Sequence, residues 1–150
     1  MQVFICTMTT FKTNSAGFLA NHMARLFAKG LAERVEPLGL APAQFMTLLE
    51  LWDEDGVTQQ ALRLRLDLEQ ATMANTLKRM ERDELIIRRA HKSDKRARLV
   101  FLTDKARGLR DEALAAAAEQ NEQAMAGLSE TERAQLIRLM QHVIKRMQRG

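Results

Sequence analysis

The chain has 150 residues, enough for one ordinary domain or a compact domain with extended helices for a partner. Aromatics are only 5%, so aliphatic residues and nine Met must supply the core, while two Pro and long Ala, Leu, Glu, Gln and Arg runs favour helix over sheet. The net charge of +4 is concentrated: Asn75 to Arg98 holds nine basic and four acidic residues, a local +5, and the remainder is slightly acidic. Such a footprint fits a nucleic-acid contact surface, with a merely solvated basic face as the alternative.

The single cysteine, Cys6, excludes an intramolecular disulfide and suits a reducing, cytoplasmic setting. No stretch approaches the roughly 20 apolar residues of a membrane span. Met1 to Met8 lacks the basic start and long apolar run of a secretory leader, and Met1 and Met8 are both candidate starts.

In chain order, Asn14 and Ser15 are N-cap candidates for a first helix carrying Leu19, Met23, Leu26, Phe27, Leu31 and Val35 at three-to-four spacing. It should stop before Pro37-Leu38-Gly39. Pro42 suits the first turn of a second helix, whose stripe is Phe45, Leu48, Leu49 and Trp52. Thr58 can cap a short third helix with Leu62 and Leu66. A fourth, about Glu69 to Arg82, is buried through Met73, Leu77 and Met80. Leu85-Ile86-Ile87 and Leu99-Val100-Phe101-Leu102 flank the polar tip His91 to Arg96 and predict a two-stranded hairpin. Thr103 opens a long helix to about Ala126, with Leu109, Ala113, Ala116, Ala117 and Ala124 on one side. Ser129 to Glu132 reads as a capping box before a last helix with Leu136, Met140, Val143 and Met147.

The fold class expected is therefore mainly α with a small β-hairpin wing: a winged helix-turn-helix lobe at about 40–103, and dimerisation helices at about 15–37 and 104–148. The fourth helix would enter the major groove of double-stranded DNA and the hairpin would reach the backbone or minor groove.

Several stretches resemble the MarR (multiple antibiotic resistance regulator) family. They are Leu40-Ala41-Pro42-Ala43-Gln44-Phe45, Gly56-Val57-Thr58-Gln59-Gln60-Ala61-Leu62, Thr76-Leu77-Lys78-Arg79-Met80-Glu81-Arg82, and above all Ser93-Asp94-Lys95-Arg96 leading to Val100-Phe101-Leu102-Thr103. The resemblance covers about Ser15 to the C-terminus. It implies a homodimer built from the first and last two helices, a pseudo-palindromic operator, and release by a small aromatic or anionic effector or by thiol oxidation. Two positions depart from the family pattern: Glu84 stands where Gly is usual, and Ala74-Asn75 replaces a common Thr-Arg pair.

The candidate DNA-binding residues fall in three groups. Gln70, Thr72, Asn75 and Thr76 lie in the base-facing half of the fourth helix, where Asn and Gln can pair with adenine, and Lys78 and Arg79 suit phosphates. Met73 is assigned to the core. Thr58, Gln59 and Gln60 stand at a helix N-terminus that can hold a phosphate, with plain capping by Thr58 as the alternative. In the wing, Arg96 suits a narrow minor groove, Asp94 would brace a wing arginine, and Lys92, Lys95 and Arg98 add salt-sensitive attraction.

An enzyme is disfavoured. His22, His91 and His142 are scattered without metal-ligand spacing, no catalytic set or Gly-rich phosphate loop is present, and no cofactor is implied. His22 is expected on the apolar side of the first helix. Two alternatives remain within the sequence reading: a helical dimer that senses a ligand or partner without gripping DNA, and a redox regulator acting through Cys6.

Overall fold

The computed structural model describes residues 10–149; Cys6 and the choice between Met1 and Met8 lie outside the described residues. A single turn, α1 (Phe11–Asn14), precedes α2 (Ala16–Val35). Of the two expected caps, Ser15 does the work: its hydroxyl accepts the Phe18 N–H at 3.2 Å, while Asn14 ends α1. A 3₁₀ turn, Glu36–Leu38, contains Pro37 and ends α2. Pro42 opens α3 (Pro42–Asp53), and Gln44 Oε1 reaches back to the Ala41 N–H at 3.0 Å.

β1 (Val57–Thr58) leads directly into α4 (Gln59–Arg65), capped as expected by Thr58, whose Oγ1 accepts the Ala61 N–H. α5 (Gln70–Arg82) follows, with Glu69 as its N-cap residue rather than its first turn. The hairpin is β2 (Ile86–Ala90) and β3 (Arg98–Leu102), paired from Ile86↔Leu102 to Ala90↔Arg98.

It is one strand wider than the sequence indicated. β1 pairs with the outer edge of β3, Val57 opposite Val100, giving the antiparallel order β1-β3-β2. Two residues are too few for an alternating pattern, which is why only the flanking turn was legible.

The long helix expected from Thr103 is also divided. Thr103 caps α6 (Asp104–Gly108), a tight turn at Leu109 intervenes, and α7 (Arg110–Ala124) continues. The Leu109 N–H reaches back three residues to Ala106 O, not four, just after Gly108. α8 (Glu130–Gln148) starts at the expected capping box, with Ser129 and Glu132 bonded reciprocally.

The core lies in the middle of the chain. Leu48 and Leu51 of α3, Leu62 of α4, Met73, Leu77 and Met80 of α5, and Val100 of β3 are all fully buried. Each such side chain stabilises the fold by roughly 1.5–3 kcal/mol. α2 enters the core through Leu31 and Val35, and α7 through Ala113. α8 buries nothing. Phe18, Leu19 and Leu26 on α2, and Ile137, Leu139, Val143, Ile144 and Met147 on α8, stay exposed in the single chain. His22 shares that apolar surface, as expected, edge-on to the Phe18 ring at 6.4 Å, and is exposed in the single chain. No helix among the described residues is long and apolar enough to cross a membrane.

Candidate nucleic-acid interface

α4 and α5 are joined by a short turn in which Asp67 has φ 51, a left-handed conformation that closes α4. The Leu68 N–H returns to Arg63 O at 3.0 Å, which ends the helix and redirects the chain. α5 then lays Met73, Thr76, Leu77 and Met80 inward and leaves Gln70, Thr72, Asn75, Lys78, Arg79 and Arg82 exposed.

Thr76 is therefore a correction. It is only 8% exposed, and its hydroxyl is spent on Thr72 O at 2.9 Å. The spacing that made Met73, Leu77 and Met80 core residues carries Thr76 to the same face, so it cannot offer a base contact.

The α4 N-terminus, the start of α5 and the wing enclose one open cleft of about 810 Å³. It brings together Thr58, Gln59, Gln60, Gln70, Asp94, Arg96 and Arg98 from the sequence reading. Thr72, Asn75, Lys78 and Arg79 do not line it: they lie further along α5 or around its flank, and Arg79 faces a separate cavity against α3. Lys92 and Lys95 stand exposed at the wing tip.

Three polar cleft residues go beyond the sequence reading: Arg63, Arg88 and His91. Arg63 follows Gln59 and Gln60 by one helical turn, a spacing that was available in the sequence. Arg88 required the hairpin register, and His91 the folded tip.

Arg88 Nε bonds Glu81 Oε2 at 3.1 Å, tying β2 to α5, and its side chain is 19% exposed. That bond is the main reason the Glu81 carboxyl sits below the usual carboxylate range, with smaller help from the charges of Arg88 and Arg98. At the end of α5, Asp83 accepts from Arg82 and from Gln44 of α3, and those bonds lower its pKa to about 2. Charge-assisted bonds at the C-terminal end of α5 thus tie it to β2 and to α3.

Asp94 does brace an arginine, but through the main chain. Its Oδ1 accepts the Arg96 N–H at 2.9 Å, leaving the guanidinium outside that bond. Glu84, which stands where the family usually has Gly, has φ 59, a left-handed geometry, and its carbonyl accepts the Thr103 hydroxyl at 2.7 Å. Among the described residues, no group of three His, Cys, Asp or Glu side chains could hold a metal ion.

A model of the MarR family matches residues 40–97, from α3 through the wing tip. The HTH-type transcriptional regulator MgrA of Staphylococcus aureus is 38% identical over 101 residues, which are 67% of this chain and 67% of MgrA. The chain belongs to the MarR family. As a MarR-family protein it is a transcriptional regulator and not an enzyme. A crystal structure of a probable transcriptional regulator from Pseudomonas aeruginosa is 30% identical, covers 87% of this chain and 97% of its own, and superposes with a TM-score of 0.80. Reduced AbfR bound to DNA is 26% identical, with a TM-score of 0.70 over 87% of this chain and 90% of that one. Two other curated relatives are matched over 34% and 62% of their own length.

Proposed function

We propose that this MarR-family chain works as a homodimer that binds a pseudo-palindromic operator in double-stranded DNA and represses transcription until a small aromatic or anionic effector releases it. The observation that carries the DNA reading is the cleft itself. It gathers a helix N-terminus, the start of α5 and two wing arginines, Arg96 and Arg98, along one open surface. Main-chain N–H groups at the start of α4, with Thr58, Gln59 and Gln60, suit a phosphate. Gln70, Thr72 and Asn75 suit base edges, and Lys78 and Arg79 suit the backbone on the exposed side of α5. Lys92, Lys95 and Arg98 add counterion-releasing charge around Arg96. DNA-bound AbfR, of like fold, supports the same reading.

The dimer reading rests on α8, a helix of 19 residues with none buried, and on the exposed apolar residues of α2. Contiguous apolar surface of that kind calls for a partner, and a second copy suits a two-fold operator. Residues 40–103 then form the DNA-binding lobe, with 15–37 and 104–148 as dimerisation helices.

Selection of bound fragments from sheared genomic DNA, followed by footprinting, tests this. The expected footprint has two protected half-sites about one helical turn apart, roughly 34–36 Å. No enrichment over bulk DNA would reject DNA recognition and favour a dimer that only senses a ligand or partner. Aromatic carboxylates added to the complex should dissociate it; a complex indifferent to all of them would remove the effector from the proposal.

A further inference from the structure

We infer that His91 is the positioning residue of the wing: its unprotonated Nδ1 holds the tip in the shape that presents Arg96, so that acid loosens specific recognition. The inference rests on the DNA-binding reading above. The β2–β3 ladder ends at Ala90↔Arg98, leaving the tip outside the strand pairing. Within the tip, His91 Nδ1 lies 3.2 Å from the Ser93 N, 3.2 Å from the Asp94 N and 3.1 Å from Ser93 Oγ.

A main-chain N–H can only donate. Nδ1 is therefore the acceptor, the ring proton belongs on Nε2, and the Ser93 hydroxyl donates. The bonds run on from there. Asp94 Oδ1 takes the Arg96 N–H, Asp94 O takes the Ala97 N–H at 3.2 Å, and the His91 N–H closes on Ala97 O at 3.1 Å. One ring nitrogen thus fixes Ser93 and Asp94, and Asp94 in turn fixes Arg96.

Protonating Nδ1 turns that acceptor into a donor facing two other donors. Imidazole is the side chain whose chemistry allows this between pH 5 and 8. The charged groups sharing its cleft are Arg63 from α4, Arg88 from β2, Arg98 from β3, and Asp94 and Arg96 from the tip itself. With DNA present the new charge attracts any phosphate, whatever the sequence. The tip geometry is lost while non-specific attraction is not, so the quantity that falls is the ratio of operator to scrambled-duplex affinity.

The test is fluorescence anisotropy of the full chain with the duplex recovered by genomic selection and with its scrambled counterpart, at about pH 8 and about pH 5.5. His91→Ala should lower the specificity ratio about five- to tenfold at the higher pH. His91→Asn, whose side-chain oxygen can accept from the N–H two residues on, should stay within about twofold of wild type. Acid should lower the ratio about fivefold for wild type and leave His91→Asn unchanged. A His91→Ala ratio equal to wild type, or a wild-type ratio that holds or rises in acid, would overturn the inference.

If the wild type recovers no duplex, the DNA reading fails and the brace is judged by amide exchange. Ser93 and Asp94 should exchange more slowly in wild type than in His91→Ala at the higher pH, and equally in acid. Equal rates at both would refute the brace.

Discussion

Asp94 Oδ1 accepts the main-chain N–H of Arg96 at 2.9 Å, so the carboxylate aims the wing arginine by fixing its backbone while its guanidinium stays outside that bond. In the proposed DNA-facing role of the wing, a carboxylate is electrostatically unfavourable near phosphates, and this bond offers the compensation. Asp94→Asn retains an acceptor oxygen and should hold operator affinity within about twofold, whereas Asp94→Ala should weaken it about five- to tenfold. Anisotropy titrations of the two variants check this, and equal losses would show that charge, not acceptance, matters.

Glu84 carries φ 59 in the step from α5 into β2. A side chain in this left-handed region costs on the order of 1 kcal/mol relative to glycine. Glu84→Gly should therefore stabilise the fold by about that amount and raise Tm by about 3 °C. The Thr103 bond uses only the Glu84 carbonyl, so it survives the substitution. A calorimetric scan showing an unchanged or lower Tm would contradict the strain.

Gly56 has φ 73 and presents its Cα to the Phe101 ring, where an added Cβ would stand 2.8 Å from Cε1. Its N–H also donates to Val100 O, so the residue cannot swing away without breaking the β1–β3 edge. Gly56→Ala combines backbone strain with overpacking and should destabilise by about 2 kcal/mol in urea unfolding.

Asp83 supplies a pH dependence. Its bonds to Arg82 and then Gln44 depress its pKa from the ordinary 3.8 to about 2 in the folded chain. A depressed carboxyl contributes stability above its unfolded pKa and loses it as pH falls through the folded value. Stability should therefore decline between about pH 4 and about pH 2, and Asp83→Asn should flatten that decline. Because the side chain is partly exposed to solvent, the change is expected to be modest. Acid titration followed by circular dichroism measures it.

Local signals were legible in the sequence, and distant ones were not. Ser15, Thr58 and Ser129 announce helix starts because a cap acts within three residues of itself. The stripe of Met73, Leu77 and Met80 reads directly as a buried face, and the same period should have sent Thr76 inward. β1 was invisible, since two residues gain their meaning only from Val100 and Leu99, far along the chain. The tight turn at Leu109 broke an otherwise uniform helical composition. His91 escaped because its role depends on a ring nitrogen meeting two main-chain N–H groups in a tip that exists only once folded. Of the α5 residues assigned to DNA contact, only Gln70 reaches the cleft with the wing.

A salt titration tests sequence-specific recognition by the helix–wing surface most directly. Anisotropy of a duplex from the gene's own upstream region should show one dimer per site, resistance to scrambled competitor, and affinity falling steeply and log-linearly with salt. Lys78→Ala should reduce that slope by about one while leaving discrimination between sequences intact. Binding that is flat with salt, or no tighter than to the scrambled duplex, would contradict the account.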